Sequence, residues 1–122
     1  YLTLYSEQTD AGFIEEVMSS ALATFDRLPD DMEVHTMMCF MRLAEMAGGP
    51  VAQRLLPKLR RGVHMVTSSS PEEWEAYGGR PLWFGVTPSS LLSQELTLAT
   101  PIQLDYEIEN QSDEGSWQPN WT

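Results

Sequence analysis

The chain has 122 residues, 42% of them apolar, and sets 18 acidic residues against seven basic ones for a formal charge of −11. Length and apolar content fit one compact domain with a core of ordinary size and exclude a disordered chain. No run of about eighteen apolar residues is present to span a membrane, and so acidic a chain is a poor direct ligand for nucleic acid, whose grip comes from Lys and Arg neutralising phosphates.

Tyr1 to Tyr5 is rich in β-formers and alternates Leu2 and Leu4 against Thr3, which predicts a short strand. No basic-then-apolar segment of signal-peptide type occurs near this end. Thr9 or Asp10 then caps a helix whose Phe13, Ile14, Val17, Met18, Leu22 and Phe25 share one half of the wheel, and Pro29 ends it. Asp30 and Asp31 are placed to start a second helix, Met32 to Ala47, as cap and first-turn acid. Stepped at a helix's periodicity, that segment is apolar around most of its circumference, which predicts a Met-rich hub wrapped by other elements. Cys39, the one cysteine, lies in it, so an internal disulfide is excluded and a buried thiol in a reducing, intracellular compartment (cytoplasm or virion) is expected.

Gly48 and Gly49 stop the hub helix, and Pro50 opens a third over Val51 to about Arg61, with a kink or early end expected at Pro57. Val63 to Val66 is a candidate strand. Ser70-Pro71-Glu72-Glu73 has the order of a cap, an N1 proline and first-turn acids, followed by a brief helix to Tyr77. Leu82 to Val86 predicts a buried strand. From Ile102 to Glu109 four apolar residues alternate with four polar ones, the pattern of a half-buried strand with an acidic outer face. The expected fold is therefore α+β: a three-helix cluster around the Met-rich helix, packed on a small, mainly antiparallel sheet. Residues 1–111 would form the domain, and 112–122 a tail held by its tryptophans.

Arg54, Lys58, Arg60 and Arg61 gather four of the seven basic residues on the third helix. They form either a solvated face paired with acids elsewhere on the fold or a patch for an acidic surface of another chain. Asp105, Glu107 and Glu109 make an acidic row that either keeps a sheet edge wet or meets such a patch on a neighbouring copy. Trp117 and Trp121 are the residues to assign to a contact. His35 and Cys39 stand at a two-ligand spacing, with His64 as a distant third, but no further metal motif accompanies them. A thiol among methionines and Phe40 would be desolvated and unreactive. No catalytic residue, metal or cofactor is predicted.

Residues 95–111, ELTLATPIQLDYEIENQ, resemble the closing strand region of jelly-roll coat proteins of small RNA viruses, and the likeness implies a structural subunit. It covers that segment only: residues 10–61 read as helices where a jelly roll has strands, and no functional residue carries over. The expected function is a non-enzymatic interaction or assembly protein whose partner is another protein or a second copy, with no direct nucleic-acid or membrane contact. The alternatives are an acidic mimic of nucleic acid that inhibits a DNA- or RNA-handling protein, and a small enzyme or metal protein using Cys39 and His35.

Overall fold

The computed structural model describes residues 4–117. Five helices carry it: α1 (Ala11–Arg27), α2 (Val34–Ala47), α3 (Gly49–Val66), α4 (Pro71–Glu75) and α5 (Ala99–Glu109), with single 3-10 turns at Ser6–Gln8 and Pro81–Trp83. No strand or sheet occurs among the described residues, and the only ladder-type contact there is an isolated bridge between Thr67 and Gly79. The α+β expectation is thus overturned in favour of an all-helical fold.

Two of the expected strands, 63–66 and 82–86, fail for a local reason. Only Gly62 separates residues 63–66 from the third helix, and it stays helical, so α3 runs through them, and through Pro57 as well; the proline removes one donor, and the gap is tolerated. Of residues 82–86 only Phe84 and Gly85 are buried and Val86 lies exposed, because Pro81 starts a tight turn there. The amides of Trp83, Phe84 and Gly85 bond back to Arg80 and Pro81, so this backbone needs no neighbouring strand. Leu4 and Tyr5 form a turn, and residues 1–3 lie outside the described segment.

Residues 102–109 are helical, and the helix turns the alternating pattern inside out. Gln103 is buried while Ile102, Leu104 and Ile108 face solvent. Gln103 Oε1 accepts from the Leu82 amide at 2.8 Å, and its Nε2 donates to Glu107 Oε1 at 3.0 Å. Arg80, itself buried, donates to the same carboxylate oxygen at 2.9 Å. A polar network, rather than an apolar face, fastens α5 to the 80–84 segment. Within 95–111, the stretch likened to a jelly-roll strand, the described backbone is turn and helix.

The core is a helical hairpin. Met37, Met41 and Ala44 of α2 are buried with Leu55, Leu59 and Val63 of α3, and Gly48 makes the turn between the helices at φ +60°, a conformation that glycine adopts without strain. Gly62 lets α3 approach closely, since a Cβ there would sit 2.2 Å from the Asp30 carbonyl oxygen and 2.4 Å from Met37 Cε. Phe25 from α1, Met32, Ala52, Phe84, Leu92 and Leu96 complete the cluster. The second helix is not a sealed hub: His35, Cys39, Arg42 and Met46 lie exposed along it.

Helix α1 is capped by Asp10, which accepts from the Phe13 amide at 2.9 Å. The cap of α2 is Glu33, not the expected Asp30 or Asp31. Its two oxygens accept from the His35 and Thr36 amides, and these bonds to the charged form pull the carboxyl down to about 2. Asp30 instead holds Arg61 across the interface with α3.

Candidate functional site

The basic residues of α3 are drawn into the fold. Arg54 donates to Asp26. Lys58 Nζ reaches the carbonyls of Phe25, Asp26 and Leu28 at 2.8–3.2 Å and lies 4.9 Å from the centre of the Phe25 ring. A cation at the carboxyl end of α1 satisfies carbonyls left open by the helix and meets the negative end of its dipole. Arg61 grips Asp30 through Nε at 2.7 Å and Nη2 at 3.2 Å, a forked contact that holds the Asp30 carboxyl below its ordinary value. Arg60 Nε lies 3.0 Å from Glu95. With Arg80 on Glu107, five of the seven cations are engaged within the chain, four on carboxylates and Lys58 on backbone carbonyls, and among the described residues only Arg27 and Arg42 have neither kind of partner.

Four of the eighteen carboxylates, Asp26, Asp30, Glu95 and Glu107, meet those arginines. The other fourteen are all exposed, and among the described residues the only cationic side chain within ion-pair distance of any of them is the His35 ring, on Glu33. The unpaired charge at the surface is therefore predominantly negative, although the paired Arg54, Arg60 and Arg61 are themselves half exposed.

The acidic row is divided by the helix. Asp105 and Glu109, four apart, stay exposed, whereas Glu107 turns inward to Arg80 and Gln103. Trp117 is about half exposed, and its indole N–H donates to the Glu107 carbonyl at 2.7 Å; Trp121 lies outside the described residues. The structure thus brings Glu107 and Trp117 together, but not with the basic face of α3.

Cys39 is exposed rather than buried. His35, one turn earlier, is exposed as well; its Nδ1 is 2.6 Å from Glu33 Oε1 and its ring 5.9 Å from that of Trp83. No hydrogen bond joins this imidazole to the thiol. His64 lies exposed on the last turn of α3, and no three His, Cys, Asp or Glu side chains among the described residues gather as a metal site. None of the described helices is long and apolar enough to cross a membrane.

Two grooves mark the surface of the described residues. One of about 440 Å³ lies between the 82–88 segment and the start of α5, walled by Leu82, Val86, Pro88, Pro101 and Leu104, with no charged side chain in its lining. The other, about 490 Å³, runs along α1 beside Phe40 and carries Glu16 on its wall. The sequence displays the apolar residues of both, but assigns them to the core: one apolar stripe looks the same whether the body covers it or not. No family model, curated protein or solved structure matches this chain.

Proposed function

We propose that the protein is a non-enzymatic interaction protein that works through its surface and takes a cationic protein as its partner. The observation that carries this reading is the sorting of charge. Cations sit between elements of the fold, while fourteen carboxylates without an arginine or lysine partner face outward beside exposed apolar side chains. Such a field accelerates encounter with a positive surface and repels a second copy of the same chain. Self-association of the basic helix with an acidic row loses its basic half, because Arg54, Lys58 and Arg61 already have partners in α1 and the loop after it.

The test is cross-linking in the native source at low ionic strength, followed by reconstitution with the purified partner. The expected partner presents a Lys/Arg-rich contact surface, and the affinity falls as salt rises. A neutral or acidic contact surface, or an affinity indifferent to salt, overturns the reading. The same outward carboxylates favour a second reading, in which they stand in for a phosphate backbone on a nucleic-acid-binding protein. Competition decides between the two: duplex DNA displaces the chain from its partner only under mimicry.

A further inference from the structure

The proposed function does not say where the partner sits, and α1 supplies a place. Phe13, Val17, Ala21 and Phe25 recur at every fourth residue, so they form one row along the helix. Burial falls steeply along that row: Phe25 is 1% exposed, Val17 38% and Phe13 51%. The carboxyl-terminal end is anchored by Phe25, whose ring centroid is 4.8 Å from that of Phe40, and by Lys58 on the last carbonyls. The amino-terminal half carries the same apolar row into a stretch where its side chains are about half open to solvent.

With Phe40 of α2, the open half walls the groove of about 490 Å³. From Phe13 to Thr24, at 1.5 Å per residue, it runs for roughly 16 Å, or about three turns of a docked helix. Glu16 lies in its wall, and Asp10 and Glu7, both exposed, precede its Phe13 end; Arg27 is the one unmatched cation on α1, near the other end. We propose that this groove docks an amphipathic basic helix of another protein. Apolar anchors four apart lie against Phe13, Val17 and Phe40, and lysine or arginine side chains reach Glu16 and the acids before α1. The complementarity is apolar along the row and electrostatic at one end, which also sets the direction of the docked helix. A second copy of α1 would bring Glu16 toward its own equivalent on a chain that is already strongly negative.

This inference rests on the reading of a cationic partner, and the experiment separates the two. The probe is a fluorescein-labelled Leu/Lys peptide of about 18 residues patterned as an amphipathic helix, alongside an isomer of identical composition whose leucines share no face. Anisotropy is measured on the full chain at physiological salt. The patterned peptide should bind about tenfold tighter than its isomer, and the F13A/V17A double variant should lose about that factor. I108A, which removes a comparably exposed side chain from α5, should change nothing. F13A/V17A alters exposed positions, so it should keep its circular dichroism spectrum.

Equal affinity for both peptides, or none lost in F13A/V17A, overturns the docking site while leaving a diffuse cationic partner standing. No binding of either peptide overturns both readings. A wild-type dimer in sedimentation that F13A/V17A dissociates assigns the groove to a second copy and overturns the inference.

Discussion

Replacing Gln103 by leucine should damage this protein more than replacing Leu104 by glutamine, although the first removes a polar residue and the second adds one. Gln103 is 2% exposed, with both ends of its amide in use, whereas Leu104 is 46% exposed. Leucine at 103 keeps the volume and the helix propensity. It strips the Leu82 amide of its acceptor and Glu107 of one of its donors, and a buried polar group left unpaired costs about 1–3 kcal/mol. With both groups affected, the loss is about 2–4 kcal/mol, which at a slope of roughly 2 kcal/mol per molar lowers the urea midpoint by about 1–2 M. L104Q should cost less than about 1 kcal/mol, as surface changes do. On a half-buried strand the order would reverse, since Leu104 would point to the core and Gln103 to water. Urea melts of the two variants decide, and a larger loss in L104Q refutes the helical account of α5.

Gly62→Ala should be severe, at about 3 kcal/mol or more, because the new methyl meets the Asp30 carbonyl oxygen, a backbone atom that cannot step aside; a melt within about 1 kcal/mol of wild type would show that α3 has room there. Glu33 is lowered from 4.5 to about 2 in the folded state by the amides it caps, so its contribution is present above pH 4.5 and is lost as pH falls toward 2. Glu33→Ala should therefore melt below wild type at neutral pH, with the gap narrowing through that window; a constant gap down to pH 2 removes the cap. Cys39, exposed in the fold, should react with a thiol reagent in native buffer as fast as after unfolding, and a thiol protected until denaturation would restore the buried hub.

The helical part of the fold was legible because its signals are local. Asp10 as a cap, Pro29 as a stop and Gly48 as a turn each act within a few residues, and the row of α1 follows from spacing alone. The sheet was misread because eight residues of strict alternation at 102–109 fit a strand pattern, whereas the structure buries Gln103 against the Leu82 amide and turns the half-buried Glu107 inward to Arg80. That choice depends on partners 21 and 27 residues away in sequence, which no short window contains. The same limit applies to α2: a wheel apolar nearly all round does not say which side is covered, and here the side bearing Cys39 and Met46 is left to solvent. The basic cluster of α3 was visible as composition. Its role was not, because nothing in residues 54–61 reveals that the carbonyls ending α1 lie within reach of Lys58.

Those contacts give the charge of this protein two opposite consequences. Arg54, Arg60 and Arg61 make exposed or half-exposed pairs, and such pairs add little to stability. The fourteen unmatched carboxylates repel one another in the folded chain more than in the expanded one. Salt shortens the reach of that repulsion, from a Debye length of about 30 Å at 0.01 M to about 8 Å at physiological strength. Added sodium chloride should therefore raise the melting temperature while weakening attachment to a cationic partner, both effects arising from the same side chains. Charge reversal at one outward site, Glu16→Lys, should raise stability at low salt and reduce partner affinity together. If salt instead lowers the melting temperature, the internal pairs outweigh the outward carboxylates, and the sorting of charge that motivates the proposed function has no energetic basis.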